Sequence, residues 1–235
     1  MTYPGGKAGA GVYQKIINQI PPHEVYIAPF LGHDAVLLHK KPATVSIGID
    51  SDGDVVKFWL DQLAKNSDGG SRLPGATIIN GDAISYLRKL RCEIQTFVYA
   101  DPPYLRETRK SKRPVYKNEF WTTEQHEELL TVLKSLPCMV AISGYQSSLY
   151  SEMLQGWRAI HYNTVTRSGK VAVEFLWMNY PEPKELHDYR YLGENFRQRE
   201  RLKRIRTRWL ARLRRMDQLE QYMLRSAIAE YGEPS

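Results

Sequence analysis

Cysteine is scarce in this chain of 235 residues: only Cys92 and Cys138 occur, far apart in sequence and without metal-ligand spacing. Two such residues build no disulfide framework, so they are expected to be small buried apolar groups in a reducing compartment. No run of 18 apolar residues exists, which excludes a hydrophobic membrane-spanning helix. The opening residues, Met1-Thr2-Tyr3-Pro4-Gly5-Gly6-Lys7, lack the apolar stretch of a signal peptide. The expectation is a soluble, cytoplasmic protein. Acidic counter-charge is short in one region only. Residues 197–235 hold eleven Lys/Arg against five Asp/Glu, whereas residues 1–196 hold 22 against 21, so +6 of the net +7 is C-terminal. Such asymmetry points to a polyanionic partner. Hydrophobic content of 42% suffices for a globular core, and the length suits one α/β domain with an appendage.

Strand-like and helix-like segments alternate up to about residue 150, which argues for a mostly parallel sheet. Strands are expected at 25–28, 44–49, 76–79, 96–100, 139–143, 159–164 and 171–178. Helices are expected at 7–20, 35–40, 54–65, 83–90 and from Thr122-Thr123-Glu124-Gln125 to about 136, where the Thr and the Gln read as a cap. The last two strands have no helix between them and are expected to pair as an antiparallel hairpin. Pro181-Glu182-Pro183 marks a boundary between a domain of residues 1–182 and an extension of 183–235. In the extension, Leu202, Ile205, Trp209, Leu213, Met216, Leu219, Met223 and Ala227 recur at helical spacing. A single helix over 195–231 would be about 55 Å long. Its first half carries ten cations opposed only by Glu200. Charge so one-sided repels itself at i,i+4 spacing, and a phosphate backbone would relieve that repulsion. Arg201, Arg204, Arg208 and Arg212 are the candidate nucleic-acid contacts. The bland alternative is a solvated amphipathic helix. The second half has enough apolar positions to pair with a second copy, or to dock on its own domain.

Asp101-Pro102-Pro103-Tyr104 closes the fourth strand. A carboxylate, a rigid turn and an aromatic ring then stand at the C-terminal edge of the sheet, where open α/β sheets bind ligands. This set suits methylation of an exocyclic amine on a flat base. The amine lone pair is delocalised into the ring. A carboxylate and a backbone carbonyl accepting its two hydrogens localise that pair toward a methyl donor. The prolines fix the carbonyl's direction, since each locks φ and neither donates a hydrogen bond. Tyr104 can stack on the base.

Five segments in order resemble one family: Tyr3-Pro4-Gly5-Gly6-Lys7, Ala28-Pro29-Phe30-Leu31-Gly32, Asp50, Gly81-Asp82 and the Asp-Pro-Pro-Tyr tetrad. Their order and spacing are similar to those of the Dam-like DNA adenine methyltransferases, particularly small phage or prophage members, over about residues 2–180. The resemblance implies a Rossmann-like class I methyltransferase fold with S-adenosylmethionine as methyl donor, and double-stranded DNA as partner. Asp101, Pro102, Pro103 and Tyr104 would be catalytic. The Phe30–Gly32 loop would bring backbone amides to the methionine end of the cofactor, with Pro29 and Asp34 beside it among the cofactor-binding residues. Asp50 would accept both ribose hydroxyls and Asp82 the adenine amino group. Tyr3 and Lys7 match the family's N-terminal segment, whose aromatic and lysine lie beside the cofactor.

Two departures stand out. The family has an acid before the Pro-Phe pair and a glycine-rich continuation, whereas this chain has Ala28 and then Gly32-His33-Asp34. Asp34 is the candidate to supply the missing negative charge from a new direction; His33 and Asp34 are two adjacent ligand types without others, which makes no metal site. Larger relatives insert a target-recognition region before the fourth strand, and here residues 82–100 leave room only for one helix and a strand. Recognition is then expected from Arg106, Arg109, Lys112 and Arg113 after the tetrad, and from the basic helix. Three readings stay open: an adenine-specific DNA methyltransferase, a DNA-binding protein on a scaffold that has lost its cofactor, and a methyltransferase acting on RNA or a protein amide.

Overall fold

The computed structural model describes residues 7, 9, 11–65, 73, 75–92, 95–108, 120, 122–165, 169 and 171–232. The chain divides into two compact units, Met1–Tyr189 and Arg190–Ser235.

In the first unit, β1 (Val25–Ala28), β2 (Val45–Asp50), β3 (Ala76–Asn80), β4 (Thr96–Ala100), β5 (Met139–Gly144), β6 (Arg158–Val165) and β7 (Val171–Met178) form one sheet in the order β3-β2-β1-β4-β5-β7-β6. Strands β1 to β5 run parallel, and β7 lies antiparallel between β5 and β6. This is the expected Rossmann-like sheet, and the expected hairpin of its last two strands. Every residue of β4 is buried, as are five of the six in β5. Strands covered on both faces read as unbroken apolar runs rather than alternating ones.

The first unit's helices are α1 (Val12–Ile17), α2 (Ala35–His39), α3 (Gly53–Lys65), α4 (Ala83–Lys89), α5 (Thr123–Ser135) and α6 (Ser148–Met153). Leu87 of α4, Leu129 and Leu133 of α5 and Tyr150 of α6 form one cluster with Val98 and Ala100 of β4 and Val140 and Ile142 of β5. Each fully buried aliphatic side chain there contributes about 1.5–3 kcal/mol. Phe97 points to the opposite face from Val98, its ring 5.3 Å from that of His23 and 6.0 Å from that of Tyr26. Thr122 and Gln125 make the reciprocal cap of α5 at 3.2 Å in both directions.

Several expectations need correction. The first helix starts at Val12, not residue 7, because Gly11 sits at φ 85°, a left-handed conformation that cannot continue a helix. Helix α6 was not expected; Ser147 caps it through the amide of Tyr150. The first unit runs past Pro181-Glu182-Pro183 to Tyr189. The segment after those prolines docks: the His187 amide donates to the Ile20 carbonyl at 2.9 Å, the Lys41 amide donates to Asp188 Oδ2 at 2.8 Å, and the His187 ring stacks on His23 at 3.8 Å. Cys92 and Cys138 are half-buried rather than core residues. Burial and the neighbouring Cys92 thiol push the Cys138 thiol upward.

The second unit holds α7 (Phe196–Leu213) and α8 (Gln218–Gly232) instead of one continuous rod. The hydrophobic period runs through the break, but Asp217 and Glu220 cap α8 reciprocally, at 2.9 and 3.2 Å, and so start a new helix. Asn195 caps α7. No residue of α7 is buried, and Arg201, Arg204, Arg208 and Arg212 are all exposed. Among the described residues no helix is long and apolar enough to cross a membrane.

Candidate active site

Strand order places the site. The chain lays down β1, β2 and β3 outward in one direction, then returns to set β4 on the other side of β1. The loops after β1 and β4 therefore part company, and the crevice between them is where such sheets take ligands. Residues 29–34 follow β1, Asp50 ends β2, Gly81-Asp82 follows β3, and Asp101-Pro102-Pro103-Tyr104 follows β4.

On the β4 side, Asp101 is 21% exposed and receives a 2.8 Å bond from Lys7 Nζ, whose side chain is only 3% exposed. The same ammonium donates to the Tyr104 hydroxyl and lies 3.1 Å from Oε2 of Glu174 on β7. Glu174 is buried, and its Oε1 accepts from Thr164 Oγ1 at 3.0 Å. Burial raises the Asp101 carboxyl to about 6; the Lys7 charge pulls it down and the Glu174 charge pushes it up. Burial disfavours the Lys7 cation, yet Asp101 and Glu174 together hold it well above its ordinary value. Burial also keeps the Tyr104 and Tyr99 phenols protonated far above their usual range. The Tyr104 ring faces Tyr145 at 4.5 Å and 57°, which sets two aromatic rings beside the carboxylate.

On the β1 side the loop is fixed by its own bonds. The Leu31 amide donates to the Ile49 carbonyl and the Gly32 amide to Asp50 Oδ2, both at 2.8 Å. The Trp59 indole donates to the Gly32 carbonyl at 2.7 Å. Gly32 has φ 43°, a conformation that favours glycine. Gly48 makes room for this loop, since a Cβ there would sit 2.7 Å from a Leu31 methyl. Asp50 also accepts from the Asp52 amide at 2.9 Å, and burial raises its carboxyl. Asp82 is exposed and caps α4 through the Ser85 amide at 2.8 Å. Asp50, Asp82 and Asp101 at successive strand tips offer acceptors only, which suits a ligand rich in hydroxyl and amine donors and carrying positive charge.

Residues 71–168 match the family model of the D12 class N6 adenine-specific DNA methyltransferases. That segment is similar to the D12 family over less than half of the chain. It spans β3 to β6 and includes the Asp101 tetrad. No curated protein matches the chain. Solved structures that resemble it are remote. A putative methyltransferase, yhhF, from Escherichia coli is 18% identical, covers 71% of this chain and 80% of its own, and has a TM-score of 0.43. An rRNA methylase from Streptococcus thermophilus is 11% identical over 70% of this chain and 92% of its own, at 0.44. The 23S rRNA methyltransferase ErmE is 10% identical over 86% and 76%, at 0.45. At this level the likeness concerns the fold alone.

The candidate residues fall on both sides of this D12-like segment and within it. The tetrad, Lys7, Asp50 and Asp82 stand at the C-terminal edge as expected, but Lys7 reaches the acceptor carboxylate. Two amides of the Phe30–Gly32 loop, which was expected to present them to a ligand, are tied to β2: those of Leu31 and Gly32. Pro29 is buried, and the half-buried Phe30 ring meets Phe120 edge-on at 5.1 Å. Asp34 is buried and already accepts from the Val36 and Leu37 amides, at 2.8 and 3.1 Å, and from the Tyr26 hydroxyl at 2.9 Å. It caps α2, and of a carboxylate's roughly four lone-pair sites about one is left for a ligand. His33 turns away onto Phe58, with ring centroids 4.3 Å apart. Arg106 is exposed in a turn of 3-10 helix, Arg106–Thr108. Tyr3, Arg109, Lys112 and Arg113 lie outside the described residues. Sequence reasoning missed Glu174. Its signal was present: one carboxylate in the middle of the otherwise apolar strand Val171–Met178.

Proposed function

We propose that this protein transfers a methyl group from S-adenosylmethionine to the exocyclic N6 amine of adenine in double-stranded DNA. The observation that carries the reading is the Asp101 carboxylate, set in a Pro-Pro turn beside the β1–β4 crevice and raised to about 6 by burial. Such a group is ionised at neutral pH yet basic enough to hold and polarise an amine hydrogen. The Pro102 carbonyl accepts the second hydrogen, and Tyr104 stacks on the base with Tyr145 behind it.

S-adenosylmethionine, when bound, supplies an electrophilic methyl group on a sulfonium. The residues present fit it. Asp50 retains acceptor capacity for the ribose hydroxyls and Asp82 for the adenine amino group, while Asp34 is engaged by the α2 cap and by Tyr26. The absence of a cysteine near the tetrad agrees with direct transfer, without a covalent enzyme intermediate. A base stacked in a duplex does not reach Asp101, so the target adenine must flip out. The cations of α7 and Arg106 are the groups proposed to hold phosphates meanwhile.

The test is mass spectrometry of duplex DNA incubated with the protein and the methyl donor. Methyladenine is expected from the wild type, and Asp101→Ala should abolish it with DNA retention nearly unchanged. DNA retention without any methyladenine, and without calorimetric binding of S-adenosylmethionine, would support the scaffold reading instead. Preferential methylation of structured RNA in competition with duplex DNA would move the substrate class.

A further inference from the structure

The Asp101 centre holds more charge than one amine acceptor requires. Two carboxylates, Asp101 and Glu174, meet one ammonium, Lys7, at 2.8 and 3.1 Å. The excess is one negative charge, in a place where Lys7 and Glu174 are each buried. Glu174 lies opposite Tyr162 in the β6–β7 ladder, so its position is fixed by the hairpin and not by the tetrad. Its two oxygens differ. Thr164 anchors Oε1 at 3.0 Å, while Oε2 faces the ammonium as an ion pair.

A Lys7–Asp101 pair alone would be neutral, and the ammonium would compete with a substrate amine for the same lone pairs. We infer that Glu174 is a positioning residue for the methyl transfer: from β7 it shares the Lys7 ammonium, so that Asp101 keeps a net negative charge for the amine it holds. This rests on the adenine reading above and names how that site stays a strong acceptor. As the base amine seats on Asp101, the ammonium has a second carboxylate oxygen already within 3.1 Å to lean on. The excess charge then opposes the positive charge that grows on the nitrogen as it takes the methyl group. The other titratable groups around Asp101 do not mask this. Tyr26 from β1, Tyr99 from β4, Tyr104 from the tetrad, Tyr150 from α6 and Tyr162 from β6 are all held protonated above their ordinary range. Asp34, at the start of α2, is a further carboxylate acting on Asp101.

The experiment uses the full chain without ligand first. Carbon-13 resonances of the Asp101 carboxyl are followed against pH in wild type, Glu174→Gln and Glu174→Asp. The wild-type midpoint is expected near 6. Glu174→Gln removes the like charge and leaves the ammonium wholly to Asp101, so its midpoint should fall by about one unit. Glu174→Asp should stay near the wild type. In the methylation assay Glu174→Gln should lose about tenfold in kcat, the equivalent of that unit, with KM for DNA little changed, and its acid limb should move to lower pH. Glu174→Asp should recover most of the rate. An unmoved Asp101 midpoint in Glu174→Gln overturns the inference, whatever the rate. A purely structural role would lower the melting temperature of Glu174→Gln and move neither midpoint nor limb. A shifted midpoint in a protein whose wild type makes no methyladenine supports the shared ammonium and sinks the adenine reading alone.

Discussion

Replacing Asp101 by asparagine should make the fold sturdier at neutral pH, by an amount that vanishes in acid. The physical basis is the carboxyl's position in the largely desolvated tetrad turn. Its titration is raised from the ordinary 3.8 to about 6, first by burial and then by the nearby Glu174 charge, with Lys7 offsetting part of both. An acid that binds its proton more tightly folded than unfolded contributes stability that is fully present below the unfolded pKa. That contribution is lost as pH rises through the folded pKa. The window runs from about 4 to about 6, and a gap of roughly two units is worth about 3 kcal/mol. Asparagine keeps the side chain's shape and cannot ionise, so it never incurs this loss. Lys7 retains Glu174 as counter-charge in the variant. Urea unfolding of wild type and Asp101→Asn across this range, read by tryptophan fluorescence, measures the difference directly. The stability of Asp101→Asn minus that of the wild type should rise by about 2 kcal/mol between pH 4 and pH 6, and by about 3 kcal/mol in all before it levels off above pH 7. A difference that stays flat with pH, or that moves against the variant as pH rises, would refute the reasoning. A gain confirmed here would mark Asp101 as a residue kept at a cost to stability for its chemistry.

Three further outcomes are expected. Lys7→Met leaves Asp101 and Glu174 facing each other without a cation, and should cost about 3–5 kcal/mol at neutral pH. The loss should shrink in acid as Asp101 takes up a proton, which the same unfolding series will show; an equal loss at both ends of the range counts against the ion-pair account. Gly48→Ala drives a methyl group to within 2.7 Å of Leu31 and should cost about 1–3 kcal/mol. Because Leu31 adjoins Gly32, which is bonded to Asp50, calorimetry should also find weaker binding of S-adenosylmethionine, and unchanged affinity would separate this loop from the cofactor. Asp217→Ala removes the cap that starts α8 and should cost about 1 kcal/mol, visible as lost helical circular dichroism; an unaltered spectrum would show that the cap is not what begins the helix.

The apolar strands and their caps could be read directly from the sequence. Residues 97–100 are an unbroken apolar run because β4 is covered on both faces, and Thr122 with Gln125 announced α5 because capping is a local bond. The same local logic was present at Asp217 and Glu220. There the hydrophobic period carried on through Arg214 to Met216 and hid the break. The prolines at 181 and 183 announced a break in regular structure, but whether the chain beyond them leaves the domain depends on where His187 and Asp188 find partners. Those partners, Ile20, His23 and Lys41, are distant in sequence.

By itself the sequence determined the chemistry at one sheet edge: a carboxylate, two prolines and a tyrosine after a buried strand, with aspartates after two neighbouring strands. Each of those readings needs only a strand's end and the residues that follow it. The tertiary structure decided which charges those groups meet. Lys7 lies 94 residues from Asp101 along the chain, and Glu174 comes from a strand laid down last. Only the β1–β4 crossover and the β6–β7 hairpin bring the three together. A buried carboxylate's strength as an acceptor depends on the charges within a few ångströms of it, and that distance is set by packing.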